Sequence, residues 1–235
     1  MAEAAVSKKR GMALKPESLT DQAYDRLEEL IVTLQLAPGA VLSESALATE
    51  LGFGRTPIRE ALQRLAREGL VVILPRKGIL VSEINPRNQL LVLEVRRELE
   101  RLIARSGALR RTEEERLQFL AIADNMEKAS RENDGIAFMR YDQELNLLEV
   151  QAAHNEYARR AMAQTHGLSR RFWYMHYKEA ADLPLCAKLH AELARRIAEG
   201  DPEAAAEATD RLIDYVETFT RATLDSSLTG RPDKS

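Results

Sequence analysis

Two short β-branched runs, "LVVIL" at 70–74 and "GILVSEI" at 78–84, are separated only by "PRK" and follow a helix-patterned stretch that stops at Gly69. No other feature of the chain restricts its fold as much. A run this short is a strand only if it finds a partner, and a three-residue connection supplies one: the neighbouring run, folded back as a hairpin. Upstream, Leu19, Ala23, Leu27, Leu30, Ile31 and Leu34 recur at helical spacing over 18–36. "LAPGAVL" turns the chain with Pro38 and Gly39, and Ser43 opens a short helix carrying Ala46, Leu47 and Leu51 that ends at Gly52. A third helix sets Ile58, Ala61, Leu62 and Leu65 on one face. Helix, helix, turn, helix and a two-stranded wing make a winged helix-turn-helix over 18–84.

The third helix begins against a rule. In "GRTPIREAL" the pattern predicts Thr56 as N-cap and Pro57 as the first helical residue, where its missing N–H costs nothing. Three residues past that cap, a capping box calls for Glu or Gln, and the chain has Arg59. With Arg55 beside it, two guanidinium groups crowd the positive end of the helix dipole, which favours anions. The arrangement makes sense if an external anion supplies the compensation. In a helix-turn-helix this end enters the major groove, where arginine pairs with guanine or phosphate and Thr56 can donate to phosphate. Arg76 and Lys77, at the hairpin tip, are placed to reach a flanking groove or the backbone. The net charge of −3 argues against nucleic acid as a partner, but its distribution argues for it. Residues 53–78 hold six Lys/Arg against Glu60 and Glu68, a local excess of +4. Arg64 and Arg67 read as solvated positions beside those two acids.

After "NPRN" at 85–88 the strand signals end, and amphipathic helices are predicted at about 88–109, 112–131, 134–153, 155–180, 184–199 and 202–226. Short connections between helices of this length imply an antiparallel all-α bundle, so the chain reads as mainly α with a boundary near 85. Residues 1–17 read as a flexible basic tail and 227–235 as a second flexible tail. A single cysteine forbids an internal disulfide and suits a reducing cytoplasm, and no apolar run approaches the ~18 residues a membrane span needs.

"LSESALATELGFGRTPIREALQRLAREGLV…RKGILV" closely resembles the DNA-binding domain of GntR-type bacterial transcription regulators, over about residues 20–83. Gly54 departs from the pattern, which usually has Ser or Thr there. The helical remainder, with "EVRRELE", "YDQELN", "KLHAEL" and "EGDPEAA", looks like the FCD domain of the FadR-like branch. The resemblance implies DNA contacts from Ser45, Arg55, Thr56, Arg59, Arg76, Lys77 and Gly78. It also implies a homodimer on a palindromic operator, and repression relieved by a metabolite.

Within the helical part, Arg96, Asp142, Asn146 and His190 are polar groups set into apolar stripes, and each costs free energy if buried without a partner. Taken singly, His190 reads as a satisfied core histidine and Asp142 as a surface charge beside Arg140. Taken together, they form a candidate effector site, and the resemblance gives Arg96 the role of holding a small carboxylic acid. Many FCD domains also hold a divalent metal such as Zn, Ni or Mn through an Asp and three His. Here Asp142 and His190 match two of those positions, while Asn146 and Leu212 stand at the others, so weak metal binding or none is expected. His166, Tyr174, His176, Tyr177 and Arg171 could line the same cavity; Phe172, Trp173 and Tyr177 could equally be packing or dimer surface. Two other classes remain in view: an enzyme built on Cys186 and His190, for which no orienting third group is visible, and an architectural DNA-binding protein whose bundle only dimerises.

Overall fold

A computed structural model of the protein describes residues 18–228 except Lys77 and Ala181. The tails expected at 1–17 and over most of 227–235 lie outside the described residues, as does Lys77. The elements run α1 (Leu19–Val32), β1 (Val41–Leu42), α2 (Glu44–Leu51), α3 (Arg55–Arg67), β2 (Val71–Leu74), β3 (Gly78–Val81) and α4 (Pro86–Arg110). They continue with α5 (Glu113–Arg131), α6 (Gly135–Ala152), α7 (Glu156–Ala180), α8 (Leu183–Glu199) and α9 (Pro202–Leu228).

The periodic residues of the head fill its core. Leu27, Ile31, Ile58, Leu62 and Leu65 are buried together with Leu47, Leu70 and Val81. Each such side chain contributes about 1.5–3 kcal/mol of burial. The wing pairs Val71 with Val81 and Leu74 with Gly78, antiparallel. Its sheet has three strands in the order β1-β3-β2 rather than the two expected. β1 is two residues long, Val41 opposite Leu80 and Leu42 opposite Ile79. A two-residue strand has no alternation to read, so only its partner reveals it.

The bundle has separate apolar clusters, the largest drawn from α4, α5, α6, α8 and α9 and including Phe119, Met126, Phe138, Leu145, Leu193 and Ile197. α4 packs along α9, and charges line the seam: Arg97 pairs with Asp210 and Asp214, Arg101 with Asp210, and Arg105 with Glu203. α5 starts with a full capping box, Thr112 and Glu115 each bonding the other's backbone N–H.

Head and bundle meet on α7. Gly167 lies against Leu70 and Glu28, and a Cβ there would sit 2.7 Å from the Leu70 side chain, so any larger residue would force that side chain to move. The next turn supplies two arginines that hold the head. Arg170 Nη1 donates to both oxygens of Glu28 at 2.9 Å, and Nη2 donates to Gln143 at 3.0 Å. Arg171 is buried and donates to the Ser82 carbonyl at 2.9 Å and its hydroxyl at 3.0 Å. Burial pulls the Arg171 pKa down to about 10, leaving the group a cation at neutral pH.

Candidate functional site: an arginine-bearing helix end and a charged cavity

The first candidate surface is the start of α3. The helix begins at Arg55, one residue before the expected cap, and its N-cap is Gly54 with no side-chain hydrogen bond. Thr56 is therefore an exposed residue of the first turn and not the cap. The shift has a simple cause. Pro57 then falls at the third helical position, where its missing N–H is still one of the four that a helix leaves unpaired, so the helix can start earlier without loss. The outcome sharpens the anion-site reading: this N-terminus has exposed N–H groups and no carboxylate of its own.

Arg55 and Arg59 are both exposed, as expected. Arg59 is not free, however. Its Nε and Nη2 donate to Glu44 of α2 at 3.0 and 2.8 Å, which raises its pKa. Glu44 thus holds the side chain extended across the two helices of the motif, where a phosphate or base can take it over. Ser43 caps α2, accepting from the Ala46 N–H at 3.4 Å, and its hydroxyl meets the exposed Ser45 at 3.0 Å. At the wing tip Arg76 adopts φ 63°, in the left-handed region, and is exposed beside Gly78 at φ 107°. Arg64 is not simply solvated. It lies 3.5 Å over the Tyr24 ring and bonds the buried Glu68, which ties α3 to α1.

The second candidate is a cavity of about 60 Å³ in the bundle, lined by Arg96, Asp142, Asn146, His190 and Leu212. The fold brings all four effector candidates together from α4, α6 and α8. His190 Nε2 lies 3.0 Å from Asp142 Oδ1, and its Nδ1 lies 2.8 Å from the Cys186 carbonyl. Both partners only accept, so both ring nitrogens donate and the ring is an imidazolium. Burial opposes that charge, but Cys186 and the Asp142 carboxylate together hold the His190 pKa well above 6.5. Burial likewise pushes Asp142 up, and the His190 bond outweighs it, so the carboxyl stays below its ordinary value. Asp142 thus pairs with His190, not with Arg140. Asn146 closes the cluster, Nδ2 donating to Asp142 Oδ1 at 3.2 Å.

This donor set fits a transition metal poorly. Asn146 is a weak donor, Leu212 offers none, and among the described residues no three His, Cys, Asp or Glu side chains converge as ligands. The Cys186–His190 pair has the wrong protonation for catalysis. Sγ sits 3.6 Å from Nδ1, but burial raises the thiol pKa, so it is no thiolate at neutral pH.

Arg96 reaches the cavity with one carboxylate already in hand: Nε and Nη2 bond Glu100 Oε1 at 2.6 and 2.5 Å, while Nη1 makes no such bond. Of the aromatic stretch, His166 and Trp173 line the cavity. Arg171 instead grips the head, and Phe172 is core against Phe219. Sequence reasoning did not single out Glu149, Ser169 or Arg170, all of which line the cavity. A signal was present: Glu149 follows Asp142 and Asn146 at i+7 and i+3. His166, Ser169, Arg170 and Trp173 repeat that spacing on α7.

A head with an arginine-bearing helix end and wing, joined to a helical bundle with a charged cavity, defines a winged-helix DNA-binding regulator. Residues 19–81 match the profile "Bacterial regulatory proteins, gntR family", and 91–215 match the FCD domain. The chain belongs to the GntR family of bacterial transcription regulators, in the group that carries an FCD domain; it is a regulator and not an enzyme. It is 23% identical over 205 residues to the HTH-type transcriptional repressor RspR of Escherichia coli, covering 87% of this chain and 90% of RspR. An uncharacterized HTH-type regulator of Streptomyces ambofaciens is 51% identical over 63 residues, but these span only 27% of either chain. One from Agrobacterium vitis is 40% identical over 78 residues, 33% of this chain and 46% of that one. Among solved structures, E. coli McbR/YncC superposes with TM-score 0.74 at 20% identity, covering 88% of this chain and 99% of that chain. A putative regulator from Rhodococcus gives 0.65 at 18%, covering 86% and 97%. At these identities the likeness is one of fold. No helix among the described residues is long and apolar enough to cross a membrane.

Proposed function

We propose that the protein is a metabolite-responsive repressor that works in the cytoplasm as a homodimer on a palindromic operator. The effector is a small organic acid that enters the bundle cavity and meets Arg96, whose Nη1 has no internal partner. One observation supports this reading above the others: α7 belongs to both sites. Its residues His166, Ser169 and Arg170 line the cavity, and Arg170 and Arg171 hold α1 and the end of β3. A ligand that draws on Arg170 alters the grip on Glu28 and so the placement of the head. That is the differential contact which coupling between two sites requires.

Each half-site takes the start of α3, with Arg55, Thr56 and Arg59 on bases and phosphates, Ser45 on the backbone, and Arg76 with Gly78 at the wing. The two-fold partner docks on α4, where Leu91, Val95, Leu102 and Leu109 form an exposed apolar stripe. No metal is needed, because the His190–Asp142 pair satisfies itself.

Selection of bound fragments from sheared genomic DNA at two salt concentrations tests the DNA half. A recurring palindrome retained at the higher salt supports a specific regulator; diffuse, salt-sensitive recovery refutes it and leaves an architectural role. For the effector half, Arg96→Ala abolishes the response to a carboxylate while leaving effector-free DNA affinity unchanged. A normal response in that variant sinks the carboxylate assignment.

A further inference from the structure

The cavity is lined by both acids and bases, and one of each has a side chain without a partner. Glu149 is 6% exposed and lines the cavity, and among the described residues its carboxyl forms no hydrogen bond or ion pair. Glu100 is the strongest charge acting on it; the cation His190, Asp142 and the cation Arg96 act more weakly, and those two cations are already bonded to Asp142 and Glu100. His166 Nε2 is buried with no hydrogen-bond partner. Arg96 and Arg170 are the strongest charges acting on it, opposed by Asp142. A second cavity of about 550 Å³, between the bundle and α1, shares Glu100, Asn146, Glu149, His166 and Arg170 with the first. The two spaces therefore meet around these groups, and the larger has room for the rest of a metabolite.

A simple carboxylic acid serves only one of these two groups. It can take Arg96 Nη1 and the His166 N–H, but it leaves the Glu149 carboxyl without a partner. We infer that the effector is a small zwitterion, an amino acid or close relative, with its carboxylate on Arg96 and His166 and its protonated amine between Glu149 and Glu100. The inference rests on the effector reading above and adds the amine to it. The electrostatics agree at both ends. Burial and the neighbouring Glu100 push the Glu149 pKa up to about 8, so the empty site keeps that carboxyl protonated. Burial, Arg96 and Arg170 push His166 down to about 3, so it meets the ligand neutral. An arriving ammonium stabilises the Glu149 carboxylate and so expels its proton to solvent.

The test is calorimetric binding to the full-length protein. The probes are the twenty α-amino acids, β-alanine and 4-aminobutyrate, each compared with its deaminated acid and its decarboxylated amine. At least one amino compound is expected to bind tenfold or more tightly than both of its truncated counterparts. In buffers of different ionisation enthalpy at pH 7, its binding should release close to one proton. Glu149→Gln, an isostere of the neutral side chain, should weaken that compound tenfold or more, abolish the proton release and leave the deaminated acid unaffected. A deaminated acid that binds as tightly as its parent, or binding without proton release, overturns the zwitterion and leaves an acid effector standing. Failure of every probe, acids included, overturns the zwitterion and the organic-acid reading together.

Discussion

The two candidate sites handle charge in opposite ways. At the start of α3, Arg55 and Arg59 sit in solvent, and the partner of Arg59, Glu44, is itself near the surface. Exposed pairs of this kind are weak, so such a pair gives way to phosphate readily. In the bundle, Arg170 with Glu28, Arg96 with Glu100 and His190 with Asp142 are all largely buried, and a buried charge left alone costs several kcal/mol. The head can therefore afford arginines that wait for a ligand, whereas the bundle must pair nearly everything. Among the described residues its exceptions include Arg105 Nε and Arg171 Nε as well as Glu149 and His166, and the last two, which line the cavity, say more about a ligand than any exposed charge does.

Experiments can press on that contrast. The largest effect is expected from Glu28→Ala, which strands Arg170 between head and bundle. It should cost about 3–5 kcal/mol in denaturant unfolding, with replacement of both partners by apolar residues recovering most of the loss. A cost no larger than an exposed pair's would break the distinction.

Arg59→Ala removes an exposed residue and should leave unfolding nearly unchanged. Operator affinity should fall on the order of tenfold to a hundredfold, with relaxed preference at one base pair. Equal affinity across operator variants in fluorescence titrations would remove Arg59 from the interface.

The buried groups also predict a pH dependence. Glu149 is protonated in the folded chain up to about pH 8 and ionised in the unfolded chain from 4.5 upward, so its contribution to stability is lost as pH rises through 8. His190, raised above 6.5, acts in the same direction over this window, while His166, lowered to about 3, is neutral in both states above 6.5 and is silent. The groups facing Glu149 are Arg96 and Glu100 on α4, Asp142 on α6, His166 and Arg170 on α7, and His190 on α8. Between pH 6.5 and 8, unfolding free energy should fall by roughly 1–2 kcal/mol on account of Glu149. Glu149→Gln should remove that share and leave a shallower slope due to His190. An unchanged slope in the variant would show that Glu149 titrates normally.

The smallest effect belongs to Gly54. It caps α3 with ordinary φ, a Cβ there would sit in ordinary contact with Pro57 at 3.6 Å, and Pro57 leaves only the Thr56 N–H for a side-chain cap to satisfy. Gly54→Ser should stabilise the head by about 0.3 kcal/mol while adding a hydroxyl at the DNA-facing end. A thermal-melt gain without any gain in operator affinity would separate the cap from the contact.

Much of this protein was legible before folding. Ile58, Ala61, Leu62 and Leu65 announce a helix face because burial repeats with the helical period, and Arg55 and Arg59 stand out because they oppose the dipole of their own helix, which is the ground for proposing DNA contacts there. The hairpin was readable from two β-branched runs and the turn between them. Asp142, Asn146, Arg96 and His190 stood out as polar residues in apolar stripes, and the fold gathers them around one cavity. These are properties of neighbours in sequence, and local periodicity encodes them.

Partnership across the chain was not legible. Nothing near Glu28 indicates that Arg170, 142 residues away, will be its counterion. Nor does anything near Arg59 single out Glu44 as the carboxylate that positions it. β1 exists only because β3 lies beside it. Glu149 resembles any glutamate on an amphipathic helix until the fold sets it, largely buried, on the wall of the cavity without a counterion of its own. The sequence determines which faces must be buried, because that follows from hydrophobic spacing along one helix. Which charges are satisfied there, and which are left for a ligand, depends on distances between helices, and only the tertiary structure sets those.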